Sequence, residues 1–216
     1  MPFSRNLALL ICLLPSLAHA QPASIHNYSF LELSIQHKVL FEPVRLPAAD
    51  EVLERYESLS GLGLKGSWQF HRLGFMYLQA QGLFNEGDDT RWEDGQAELG
   101  MGLAYPMLMG VDLVLTLGGV VRQESTCSLD DCVDVDSDGY SMGAGLRLEL
   151  GNHADLQIHY DRLAFSATWP DGNKERDMSN RVSAQFLLGS HHHGAILGIT
   201  TVDDDNIFKL GYRYSF

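Results

Sequence analysis

From residue 27 onward, apolar and polar residues alternate with a period of two in one segment after another. Successive strand side chains point to opposite faces, so this period predicts strands with one greasy and one polar face. Ten segments carry it: 27–37, 55–70, 73–84, 96–105, 111–123, 140–150, 154–165, 180–189, 194–202 and 207–216. In the fourth, Ala97, Leu99, Met101, Leu103 and Tyr105 oppose Gln96, Glu98, Gly100, Gly102 and Ala104. The segments at 73–84 and 194–202 alternate more weakly, which keeps eight strands open beside ten. Segments of about ten residues suit tilted strands crossing a hydrocarbon layer.

The connections alternate in length. Short ones fall at 71–72, 106–110, 151–153 and 190–193; longer polar ones fall at 38–54, 85–95, 124–139 and 166–179, with 203–206 an exception. Val52, Leu53, Tyr56 and Leu59 have helical spacing, which predicts a helical turn within 47–59. Aromatics cluster near both ends of the predicted strands. Tyr28, Phe30, Trp68, Phe70, Phe75, Tyr105, Tyr212, Tyr214 and Phe216 mark one end, and Tyr56, Phe84, Tyr140 and Phe165 mark the other. Bilayer interfaces select such girdles.

The last ten residues are the most specific stretch. Phe208, Leu210, Tyr212, Tyr214 and Phe216 share one face, and Lys209, Gly211, Arg213 and Ser215 the other. Lys209, Gly211, Tyr214 and the closing aromatic Phe216 resemble the terminal strand of bacterial outer-membrane β-barrels. The chain as a whole resembles small barrels of the OmpA/OmpX type. That resemblance implies an all-β, closed, antiparallel up-and-down transmembrane barrel of ten strands, with eight as the alternative. It implies short periplasmic turns, longer external loops and both termini on the periplasmic side. It also implies that these four residues are an assembly signal read by the barrel assembly machinery.

The N-terminus supports the same address. Arg5, an apolar run over 7–14 and Ala18-His19-Ala20 read as a secretory signal peptide over 1–20, leaving a single barrel domain over 21–216. No apolar run after it is long enough for a helical span of roughly 20 residues. The formal charge of −13 argues against nucleic acid and against a polybasic membrane-surface binder. Outer-membrane lipids and lipopolysaccharide are the expected surroundings of a monomer.

The predicted inward face carries Glu32, Lys65, Glu98, Asp112, Arg147, Glu149, Asp155, His159, Asp161, Arg181, Lys209 and Arg213. Charges so placed need partners or water, and small barrels fill with side chains. The expected lumen is therefore a plug of ion pairs, and the expected role structural or surface-interacting. A narrow pore is the first alternative, and a lipid-modifying enzyme or protease the second. His159 and Asp161 share a face and suggest a hydrolase site if Ser58 or Ser60 approaches. Asp134, Asp136 and Asp138 alternate before Gly139 in a polar loop, a pattern that suits calcium, although Gly145 stands where an EF-type loop has its acid. Cys127 and Cys132 follow the signal segment and predict a loop disulfide. No other cofactor is expected. The histidines of 191–193 and the aspartates of 203–205 read as exposed turns.

Overall fold

The computed structural model describes residues 26–47, 53–87, 90–128, 131–151, 153–169, 173–190 and 192–216. The signal peptide expected over 1–20 lies outside them. Ten strands run in chain order: β1 Phe30–Pro47, β2 Leu53–Gln69, β3 Gly74–Glu86, β4 Thr90–Leu108 and β5 Val111–Ser128, then β6 Asp131–Glu149, β7 Ala154–Thr168, β8 Lys174–Gly189, β9 His193–Val202 and β10 Asp205–Ser215. Each pairs antiparallel with its neighbour, and β10 closes onto β1 with Glu32 opposite Arg213. Closure leaves no sheet edge along the common span, which a wall in lipid requires.

The faces are inverted relative to a soluble protein. Leu33, Ile35, Leu62, Leu99, Leu117 and Leu210 point outward and are exposed, whereas Glu32, Glu98, Asp112, Asp161 and Arg213 are buried inside. A contiguous apolar belt of this extent marks a lipid-facing surface. The molecule is a ten-stranded transmembrane β-barrel.

The structure corrects four loop expectations in one way. The segments at 38–54, 85–95, 124–139 and 166–179 are largely continuations of the strands: β5 runs to Ser128 and β6 begins at Asp131. Beyond the hydrocarbon layer the outward face of a hairpin meets water, so pairing persists while the apolar alternation fades. The helical turn expected in 47–59 is likewise replaced by β2 from Leu53, residues 48–52 lying outside the described ones. β4 and β6 reach 19 residues, but β9 and β10 only 10 and 11. About ten residues suffice to cross the layer. The longer strands therefore project at the end opposite the termini, here called the loop end.

Cys127 and Cys132 face each other across the β5–β6 tip and are joined. Cys127→Ser is expected to cost no more than about 2 kcal/mol, because the loop closed is short. The urea midpoint should move slightly, with heat-modifiable gel migration retained. Loss of the folded gel form would show that the bridge holds more than this tip.

Parity also divides the aromatics. Trp68, Phe70, Tyr105, Tyr212, Tyr214 and Phe216 are exposed at the terminal end, as are Phe84 and Tyr140 at the other. Tyr28, Phe30, Phe75 and Tyr56 instead lie buried inside the barrel. Phe165 is half-buried. Position near a strand end sets the level of a side chain, and its parity sets the face.

Candidate functional site

The lumen is crossed by three tiers of side chains. At the terminal end, residues 26–29 turn into the mouth. The Tyr28 hydroxyl donates to Asp112 Oδ2 at 3.1 Å, and His26 Nδ1 lies 3.0 Å from the same oxygen. Arg147 Nη1 donates to the Asn27 carbonyl at 2.9 Å, and its Nη2 to Asp155 Oδ2 at 2.6 Å. The Tyr28 ring stacks on Phe75 at 4.8 Å and lies under the Arg147 guanidinium. Inward Gly102 makes room: a Cβ there would sit 2.1 Å from Phe75 Cζ. The inward glycines of β4 are thus the complement of the inward aromatics of β3.

The middle tier centres on Glu98, only 1% exposed. Its Oε1 accepts from Tyr77 and Ser141 hydroxyls, each at 2.6 Å. Its Oε2 accepts from Gln79 Nε2 at 2.6 Å and Arg181 Nη2 at 3.0 Å. One carboxylate therefore ties β3, β4, β6 and β8 together through the lumen. Arg181 Nε also donates to Asp161 Oδ2 at 3.0 Å, and His159 Nε2 lies 3.1 Å from Asp161 Oδ1. On the opposite wall Glu32 accepts from Arg213 Nη2 at 2.9 Å and Gln185 Nε2 at 3.3 Å, and pairs with Lys209.

At the loop end, Asp94 receives Arg122 Nε at 2.9 Å and Lys38 Nζ at 3.2 Å, and Lys38 also reaches Asp205 at 3.2 Å. Leu40, Tyr56, Leu59, Leu83 and Trp92 pack beside this tier as a small apolar core inside the projecting strands. A cavity of about 180 Å³ remains within the barrel, lined by Lys65, Gln36, Gln79, Gln157 and the middle-tier charges. That volume has room for on the order of ten waters.

Of the predicted lumen charges, Glu32, Lys65, Glu98, Asp112, Arg147, Asp155, His159, Asp161, Arg181, Lys209 and Arg213 lie inside the barrel. Glu149 does not. It ends β6 beside the turn at Gly110, where the inward register already opens to solvent. Tyr214 and Phe216 of the terminal motif face outward, while Lys209 and Gly211 face in. Asp134, Asp136 and Asp138 are on strand β6 rather than in a loop, and all three are exposed. Residues two apart on a strand stand about 7 Å apart without converging. Among the described residues no group of three or more His, Cys, Asp or Glu is arranged to hold a metal.

Neither Ser58 nor Ser60 meets His159 and Asp161, although Ser183 stands opposite His159 on β8. Their hydroxyl neighbour is Thr116, 2.9 Å from His159 Nε2, while Ser60 bonds His37 on the outside. The expectation of solvated aspartates at 203–205 is corrected at Asp205, whose carboxylate pairs with Lys38 and accepts the Phe41 amide at 3.0 Å. His192 and His193 contact Ser215 and Tyr212. Sequence reasoning missed Lys38, Asp94, Arg122 and the mouth residues His26 and Tyr28. The signal was present: Lys38 continues the parity of Glu32, and Asp94 that of Glu98.

No protein-family model matches the chain, and no curated protein does. Among solved structures, the chain is similar to the translocator domain of the autotransporter NalP from Neisseria meningitidis, at 10% identity over 98% of this chain and 95% of that one, TM-score 0.48. It is similar to Ail, the attachment invasion locus protein of Yersinia pestis, at 12% identity over 89% and 100%, TM-score 0.45. It is also similar to the outer membrane protein OprG from Pseudomonas aeruginosa, at 14% identity over 88% and 97%, TM-score 0.42. These likenesses are to small bacterial outer-membrane barrels and concern the fold alone.

Proposed function

We propose that this chain is an integral, monomeric outer-membrane barrel whose lumen is closed to solute flow, with a structural or surface-interaction role. The observation that carries the reading is Glu98, bonded to groups from β3, β6 and β8 across the bore. The tiers above and below it narrow the bore around a chamber of about 180 Å³. The projecting, acidic loop-end hairpins, with Asp134, Asp136 and Asp138 exposed, are the surface offered to lipopolysaccharide and the surroundings.

Reconstituted in planar bilayers, the protein is expected to be silent. Steady single-channel conductance steps would overturn the closed reading. A narrow pore is the second reading, favoured by the polar chamber of about 180 Å³. On the closed reading, His26→Ala with Tyr28→Ala should leave conductance absent, because the two further tiers remain. On the pore reading, the same pair removes the terminal obstruction and raises conductance several-fold.

A further inference from the structure

The charges around the chamber are unevenly divided between its walls. On the side formed by β1, β2 and β10, Glu32 has Lys65 opposite it on β2 and Arg213 opposite it on β10. Lys209 completes the set and pairs with the same carboxylate. One acid thus stands among three cations. The carboxylate is spent on Arg213, Lys209 and Gln185. Lys65 has no carboxylate within 4.0 Å among the described residues, and its ammonium lies 5.8 Å from the Tyr77 ring. On the facing wall, Glu98 and Asp161 share Arg181, with His159 beside Asp161. The first wall carries an excess of positive charge and the second a slight negative one when His159 is neutral. A surplus charge enclosed in a barrel needs a counter-charge at close range.

From this we infer that the chamber wall at Lys65 binds one small inorganic anion, a halide or a phosphate-sized oxyanion. Lys65 supplies the leading charge. Lys209 and Arg213, already half-neutralised by Glu32, add to the field. Gln36 lines the same wall and offers the amide hydrogen that it does not give to Ser34. Arg181, which also lines the cavity, is held by Glu98 and Asp161. The inference does not depend on the closed reading: in a closed barrel the anion is a resident counter-ion, and in an open one the same wall sets anion preference.

The test uses the refolded, full barrel in detergent, with chloride as the probe. Chloride-35 NMR line broadening should rise with protein and be displaced by inorganic phosphate. Lys65→Met is expected to weaken chloride binding on the order of tenfold or more, and Lys65→Arg to retain it. Arg162→Gln, on the outward face of β7, should change nothing. Heat-modifiable migration establishes that each variant is folded, and if Lys65→Met fails to fold, the comparison moves to Lys65→Gln. Broadening that is absent in the parent, or unchanged in the folded Lys65 variants, overturns the site. So does a nitrogen-15 signal from Lys65 showing a neutral amine at pH 7, since the surplus charge would then not exist. Conductance is read separately, so a failure here and a failure of the closed barrel are distinguishable.

Discussion

Glu98→Ala is expected to destabilise the barrel by about 3–5 kcal/mol, the range for removing one partner of a buried charge network. The change does more than delete an acid. It strips Arg181 of one of two carboxylates and leaves the hydroxyls of Tyr77 and Ser141 without their acceptor. Urea unfolding of the reconstituted protein should show the midpoint falling sharply for Glu98→Ala. Glu98→Gln, which keeps an acceptor oxygen, should lie between the variant and the parent. A midpoint within experimental error of the parent would mean that water replaces Glu98 at little cost. The lumen would then be a hydrated space and not a bonded one.

The second large effect belongs to the opposite face. Leu117 points outward from β5 between Met101 and Met142, between the levels of Tyr105 and Tyr140. Leu117→Arg there is expected to cost about 2–4 kcal/mol in a bilayer, as a charge at the hydrocarbon midplane does. Gln123→Arg is on the same strand and face but beyond Tyr140, and should cost about 0–1 kcal/mol. The contrast between the two substitutions measures depth, which neither one alone would do. Equal costs at both positions would contradict the lipid belt assigned here. Both variants should behave alike in urea after extraction into a detergent with no fixed layer thickness.

Much of this architecture was readable from local pattern. The ten alternating segments correspond to the ten strands because each membrane-crossing residue faces either lipid or lumen, and period two records that choice directly. Glu32, Arg147 and Arg213 were readable as interior charges for the same reason. The pattern failed where its cause ceased. At 124–128 and 131–139 both faces meet water, so the paired strands of the β5–β6 tip look like a polar loop. Asp134, Asp136 and Asp138 were consequently read as ligands in a turn, although an extended strand holds them apart. Tyr28 has the inward parity of Glu32, but an aromatic at the end of segment 27–37 reads as part of the girdle.

The sequence by itself determined the strand number favoured, the side on which each membrane-level residue lies, and the outward greasy face of the terminal segment Phe208–Phe216. These follow from a covalent rule, the alternation of side chains along an extended backbone. Only the tertiary structure decided which charges meet. Glu98 and Arg181 are 83 positions apart, and Tyr28 and Asp112 are 84 apart. Their encounters depend on closure of β10 onto β1 and on the register of every pair between, since a one-residue slip turns each side chain to the other face. The uneven charge of the chamber walls has the same origin. Composition supplies the cations and acids, and the closed register places three of those cations around Glu32.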